Sequence, residues 1–354
     1  MKKAYFASEP ALRKLLESLE AEAVYASVRR ERGAEYCNLK RAPAEAELAL
    51  RDPRPSASPK SFLQPAKERV AVYSAEGVNE EESCPACGER VLVGMRGCDV
   101  KAMEYLDKVF REGEFADPFY EARRAADVLI TVDCVAPHET CFCTALGGKP
   151  FVEAGFDLNI TPLAEGYLLE VGTEKGQAVV GKVAGLLTEA SEAQVRQRDA
   201  VRQKAVEKLE AQNPGLRITD QVQEVLLGKQ GSEAWKEQAA DCVECAACTF
   251  ICPTCHCFYL YDQVAGPEEF ERMRTWDSCI LGDYSRMAGP KGAKPTPRPA
   301  LRTRFANRVL HKYAFSPQQY ALLGCTGCGR CIEACFGKID IRQVLKELTG
   351  GQGA

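Results

Sequence analysis

Cysteine spacing constrains this chain more than any other feature. Cys242, Cys245, Cys248 and Cys252 follow the pattern C-x2-C-x2-C-x3-C, and Cys325, Cys328, Cys331 and Cys335 repeat it. Three thiolates on one tight turn can hold three corners of a [4Fe–4S] cubane but cannot reach the fourth. In two-cluster ferredoxins the last cysteine of each run crosses to the other cluster. The spacing therefore predicts one cluster on Cys242, Cys245, Cys248 and Cys335, and a second on Cys325, Cys328, Cys331 and Cys252. Pro253 follows the first run in the usual way; Phe336 follows the second, which alters how the turn ends and not its ligands. Zinc sites also use C-x2-C pairs, but as two pairs, not as two triplets each trailed by a fourth cysteine.

The rest of the composition agrees with metal binding. Eighteen cysteines clustered at short spacings in a 354-residue chain point to metal rather than to disulfides. With three histidines, sulfur must supply most ligands, which disfavours copper(II), nickel and non-haem iron. A net charge of −4 gives no reason to expect nucleic-acid binding. No run of eighteen apolar residues is present, so no membrane span is expected. The opening MKKAYFASEPALRKLLESLE reads as an amphipathic helix with Leu12, Leu15, Leu16 and Leu19 on one face. It lacks the apolar core and cleavage site of a signal peptide, and a cytoplasmic location is expected.

Three regions are expected. Residues 1–64 form a helical or irregular segment that includes the Pro/Ser-rich surface stretch 51–61. Residues 65–212 form an α/β domain with a parallel-strand sheet. Strands are expected at 69–74, 90–94, 127–133 and 166–172, with helices at 100–110 and 190–211, the last ending at Asn213-Pro214-Gly215. Residues 213–354 form a mainly helical, ferredoxin-like domain holding the two clusters, with a Gly/Pro/Lys-rich loop at 288–299 between the motifs.

Four more cysteines stand where a site would be. Strand 90–94 runs into Cys98 at a helix start, and strand 127–133 runs into Cys134. A strand–helix–strand unit makes the two strands parallel, so both cysteines leave the same carboxyl edge, where open α/β sheets place ligands. Cys141 and Cys143 lie on the loop that follows. The four thiols can converge on a third cluster; buried apolar thiols or zinc are the alternatives.

The stretches GMRGCDVKAMEYLDKVF, DPFYEARRA, CFCTALGGKP, CVECAACTFICPTCHCF, RTWDSC and GCTGCGRCIEAC together resemble the beta-subunit family of soluble sulfhydrogenases and the related iron–sulfur A subunit of anaerobic sulfite reductase, over about residues 65–345. The resemblance implies a third [4Fe–4S] cluster on Cys98, Cys134, Cys141 and Cys143. It also implies an electron relay between a flavin- and NAD(P)-binding subunit and a catalytic subunit of a larger anaerobic complex. Gly97 stands where proline is expected from the family.

Cys255, Cys257 and Cys279 remain outside these sets. They form an extra metal site, with His256 or Asp277 as fourth ligand, or thiols that tune a cluster from outside its ligand shell. Cys84 and Cys87 read as non-ligand thiols. Arg286, Lys291, Lys294, Arg298, Arg302, Arg304, Arg308 and Lys312 make a basic tract that could raise cluster potential, dock a partner or be solvated, with His311 structural. No dinucleotide, Walker or flavin fingerprint is present, so no hydride or acyl chemistry of the chain's own is expected. The competing readings are a sulfur or disulfide reductase in its own right and a redox sensor that binds nucleic acid through the basic tract.

Overall fold

A computed structural model describes residues 3–42, 46–79, 88–287, 289 and 295–350. Its strands are β1 (Ala4–Ala7), β2 (Ala23–Arg30), β3 (Gly33–Asn38), β4 (Lys67–Ser74), β5 (Gly77–Asn79), β6 (Arg90–Met95), β7 (Asp127–Val132), β8 (Leu158–Leu163), β9 (Gly166–Val171), β10 (Thr188–Glu189), β11 (Phe258–Val264) and β12 (Glu269–Trp276). They fall into two compact units, each built from discontinuous stretches. The first comprises Met1–Pro59, Cys87–Glu104 and Arg123–Pro214; the second comprises Lys60–Ala86, Tyr105–Ala122 and Gly215–Ala354.

The first unit is an eight-stranded sheet in the order β10-β1-β9-β8-β7-β6-β2-β3. Its centre is parallel, with β2, β6, β7 and β8 side by side, and its flanks are antiparallel. The parallel centre follows from composition: VLVGM and DVLITV are near-continuous apolar runs, suited to burial on both faces, and every residue of β7 is buried. The helix Glu9–Glu17 buries Leu12, Leu15 and Leu16, as its periodicity requires, and Ser8 caps it.

Two expectations need correction. The first 64 residues are not a separate helical or irregular segment: β1, β2 and β3 join the large sheet. Their pattern is hard to read because small residues such as Ala26 and Ser27 occupy fully buried positions. The strand expected at 69–74 exists as β4, but it pairs with β12 in the second unit. A pairing across some two hundred residues leaves no local trace. The stretch 51–61 is also not simply surface, since Arg54, Ser58 and Lys60 are buried.

The long helix Glu192–Gln212 opens with a capping box between Ser191 and Gln194. Its charge is not all for solvent. Arg202 Nε lies 2.7 Å from the Asp133 carboxylate, which also accepts from Thr161 (2.6 Å) and Asn159 (3.0 Å). Arg202 also pairs with Glu170, and Arg198 reaches Glu170 at 2.7 Å. Burial pushes the Asp133 carboxyl up, against the pull of Arg202. Removing one partner of such a pair strands the other charge. Arg202→Ala is therefore expected to cost about 3 kcal/mol in urea-unfolding midpoint measurements, with Arg196→Ala, on the solvent face, near neutral.

The second unit has a four-stranded antiparallel sheet in the order β11-β12-β4-β5. Arg274 of β12 is buried between Glu68 of β4, at 2.6 Å, and Asp117. This hairpin departs from the mainly helical expectation for 213–354. Short helices make up the rest, including Ala247–Phe250, Leu301–Leu310, Arg330–Glu333 and Ile341–Thr349.

Candidate metal centres

The cysteine repeat is also a repeat of backbone conformation. In the first run Glu244 and Ala246 are left-handed, with φ of 57° and 58°; in the second, Gly327 and Gly329 occupy the matching positions at 65° and 72°. A four-residue helix then starts at Ala247 and at Arg330 respectively. Left-handed turns wrap three cysteines around one point. Glycine adopts them freely, whereas Glu244 and Ala246 each cost about 1 kcal/mol or more, a strain tolerated where function demands the geometry.

The two runs meet. A cavity of about 500 Å³, counting the part open to solvent, is lined by Cys242, Cys245 and Cys248 of the first run and by Cys335 of the second, with Arg308 on its wall. The Cys242 thiol is pushed up by burial and by the nearness of Cys248, Cys335 and Cys245. The four residues of the first expected quartet thus border one cavity. Cys331 also lines the cavity, and Cys245 is exposed at its mouth.

The second quartet gathers behind it. Burial pushes the Cys331 thiol up to about 12, with Cys325, Cys252 and Cys328 adding to the rise and Arg308 opposing it. Lys312 is buried, and its Nζ donates to Cys252 Sγ at 3.3 Å, to Thr254 Oγ1 at 3.1 Å and to the Gly324 carbonyl at 2.8 Å. Tyr313, fully buried, lies near Cys325, and its hydroxyl has no hydrogen-bond partner among the described residues. Both side chains come from a π-helical turn, His311–Phe315, a distortion frequent at functional sites. Arg308 is buried too, and its Nε has no hydrogen-bond partner among the described residues. Buried cations without carboxylate partners cost several kcal/mol each, and thiolate-ligated clusters would supply the missing negative charge. On this ground the residues present fit two [4Fe–4S] clusters.

The third set lies in the first unit, at the carboxyl edge of the parallel strands. Gly94, at φ +94°, sits at a register shift in β6, which re-aims the chain into the helix Gly97–Phe110. A Cβ at Gly97 would come within 2.7 Å of the Lys149 carbonyl, so neither proline nor any other side chain fits that approach. Cys98 follows, at the positive end of the helix dipole. The Cys134 amide donates to the Pro150 carbonyl at 2.7 Å, which fastens Cys134 to the stretch that Gly97 approaches closely. Cys134 and Cys141 lie close enough to Cys143 to add to the rise that burial imposes on its thiol. Asn213 and Gln212, ending the long helix, donate to the Cys141 carbonyl at 2.8 and 2.6 Å. Arg96, fully buried, donates to the carbonyls of Ala49, Leu50, Asp52 and Asp133 at 2.9 to 3.2 Å. It places positive charge beside Cys134, as does Arg54. Neither arginine carried a readable signal, because a buried cation looks the same in sequence as a solvated one.

The remaining candidates divide. Cys255 hydrogen-bonds to Cys252, which holds Cys252 well below the usual thiol range and Cys255 well above it. Cys257 is lowered to about 6 by a hydrogen bond with Cys279 and another from Tyr284. Among the described residues no three or more His, Cys, Asp or Glu side chains close on a single ion position; these three thiols form neighbouring pairs. His256 and His311 meet edge-to-face, 5.6 Å between ring centroids, and burial lowers each to about 4. Of the basic tract, Arg304, Arg308 and Lys312 are buried, which corrects the docking-face and solvated-loop readings for those three. Cys84, Cys87, Lys291 and Lys294 lie outside the described residues.

Residues 241–339 match the family model of a 4Fe-4S dicluster domain. Together with the crossed cysteine runs, this defines an iron–sulfur electron-transfer subunit of an oxidoreductase complex, carrying two [4Fe–4S] clusters in its C-terminal part. The chain is 32% identical over 305 residues to Sulfhydrogenase 2 subunit beta of Pyrococcus furiosus, covering 86% of either chain. It belongs to the sulfhydrogenase beta-subunit family. Among the described residues no helix is long and apolar enough to cross a membrane.

Proposed function

We propose that this chain is an internal relay, passing electrons between a flavin/NAD(P)-binding subunit and a catalytic redox subunit. In this reading Cys242, Cys245, Cys248 and Cys335 hold one cluster, and Cys325, Cys328, Cys331 and Cys252 hold the second. Cys98, Cys134, Cys141 and Cys143 hold a third. The observation that carries the reading is the cavity ringed by three cysteines of one run and the fourth of the other. A [4Fe–4S] cluster supplies reversible one-electron storage at potentials set by its surroundings. The protein's part is to fix spacing, exclude water and set local charge. Lys312, Tyr313 and the helix Leu301–Leu310 do this for the second quartet. Arg96 and the end of the helix Glu192–Gln212 do it for the third.

The test is iron, acid-labile sulfide and zinc per chain after anaerobic purification. About twelve irons with matching sulfide are expected for three [4Fe–4S] clusters. About eight would remove the third cluster from the reading, and stoichiometric zinc with little iron would overturn it. Affinity purification from the native host should bring down a flavoprotein and a second redox subunit. The isolated chain, fully loaded, should turn over no sulfur or disulfide substrate.

A further inference from the structure

We propose that Lys312 makes the two clusters of the C-terminal part unequal, so that the one on Cys325, Cys328, Cys331 and Cys252 takes an electron first. This rests on the ligand assignment under Proposed function and deepens it. Lys312 stands 3.3 Å from Cys252 Sγ, and its other partners, Thr254 Oγ1 and the Gly324 carbonyl, are neutral. It is 4% exposed, so neither water nor salt screens its charge effectively. Reduction adds negative charge to a cluster. A fixed cation beside a ligating sulfur in a low-dielectric site therefore stabilises the reduced form more than the oxidised one.

Among the described residues the one sulfur that Lys312 donates to belongs to the second quartet. Arg308 does not discriminate, because it neighbours Cys248 of the first quartet as well as Cys331 and Cys252 of the second. Backbone amides reach both quartets, Ile339 N to Cys335 Sγ at 3.3 Å in the first and Gly327 N to Cys325 Sγ at 3.5 Å in the second; the first also has the solvent that reaches exposed Cys245. Amide and water dipoles also favour the reduced state, but less than a full buried charge at contact distance. The first cluster is then the stronger reductant of the pair and the second its sink.

The experiment is an anaerobic redox titration of the full chain followed by EPR, with Cys245→Ser used to identify the signal of the first cluster. Lys312→Met should make reduction of the second cluster at least about tenfold less favourable, about 59 mV for a one-electron couple. The first cluster should stay in place, Lys312→Arg should restore the parent value, and Arg308→Met should move both. Equal shifts of both clusters in Lys312→Met, or none, overturn the proposal. So does loss of iron in both Lys312→Met and Lys312→Gln, which would make Lys312 an assembly residue. Absence of iron from the parent chain overturns the ligand assignment, and Lys312 with it. Full iron with an unmoved midpoint overturns Lys312 alone.

Discussion

Cys335→Ser is expected to remove the same irons as Cys245→Ser, although the two residues stand in different motifs. Each variant should lose about four irons per chain, and the double variant should lose no more than either alone. Cys335→Ser combined with Cys328→Ser should lose about eight, because those residues serve different clusters. Iron and sulfide assays on anaerobically purified protein read this directly. The expectation follows from the cavity lined by Cys242, Cys245 and Cys248 together with Cys335, and also by Cys331. If each motif instead held its own cluster, the pairing would reverse. Cys335→Ser with Cys328→Ser would then lose only about four irons, and the crossed assignment would be wrong.

Iron-free protein is expected to lose the packing of the cysteine-rich segment, from about residue 235 to 349. Lys312 and Arg308 are buried among thiols. Without metal the Cys331 thiol, pushed up to about 12, is protonated at neutral pH, whereas Cys252, beside Lys312, is held well below the usual thiol range. Arg308, with no thiolate-ligated cluster beside it, is then a stranded buried cation that costs several kcal/mol, against a total stability of about 5–15 kcal/mol. Metal ligation becomes folding energy, as in other small metal-dependent cores. Hydrogen exchange should show protection of the helices Leu301–Leu310 and Ile341–Thr349 in the loaded chain and little in the iron-free chain. Arg308→Met should recover part of that protection without iron, because it deletes the stranded charge. Equal protection with and without iron would mean that apolar packing alone holds the segment.

Periodicity located many of the local elements. The apolar runs of β6 and β7, the amphipathic helix carrying Leu12, Leu15 and Leu16, and the stop at Asn213-Pro214-Gly215 were all readable, because each is dictated by side chains within a few residues. The strands β1 to β3 and the β11–β12 hairpin were not read. Their burial depends on distant partners, such as Arg274 of β12 with Glu68 of β4.

By itself, the sequence determined the cluster chemistry, because thiol type and spacing are covalent facts that no packing alters. It also determined that the two cysteine runs belong together. Only the tertiary structure decided where the charge went. Arg304, Arg308 and Lys312 read as a basic tract that could raise cluster potential, dock a partner or be solvated, and the helix Leu301–Leu310 with its π-helical turn carries them inside. A cation's effect on a cluster depends on distance and dielectric, and neither is written in the order of residues.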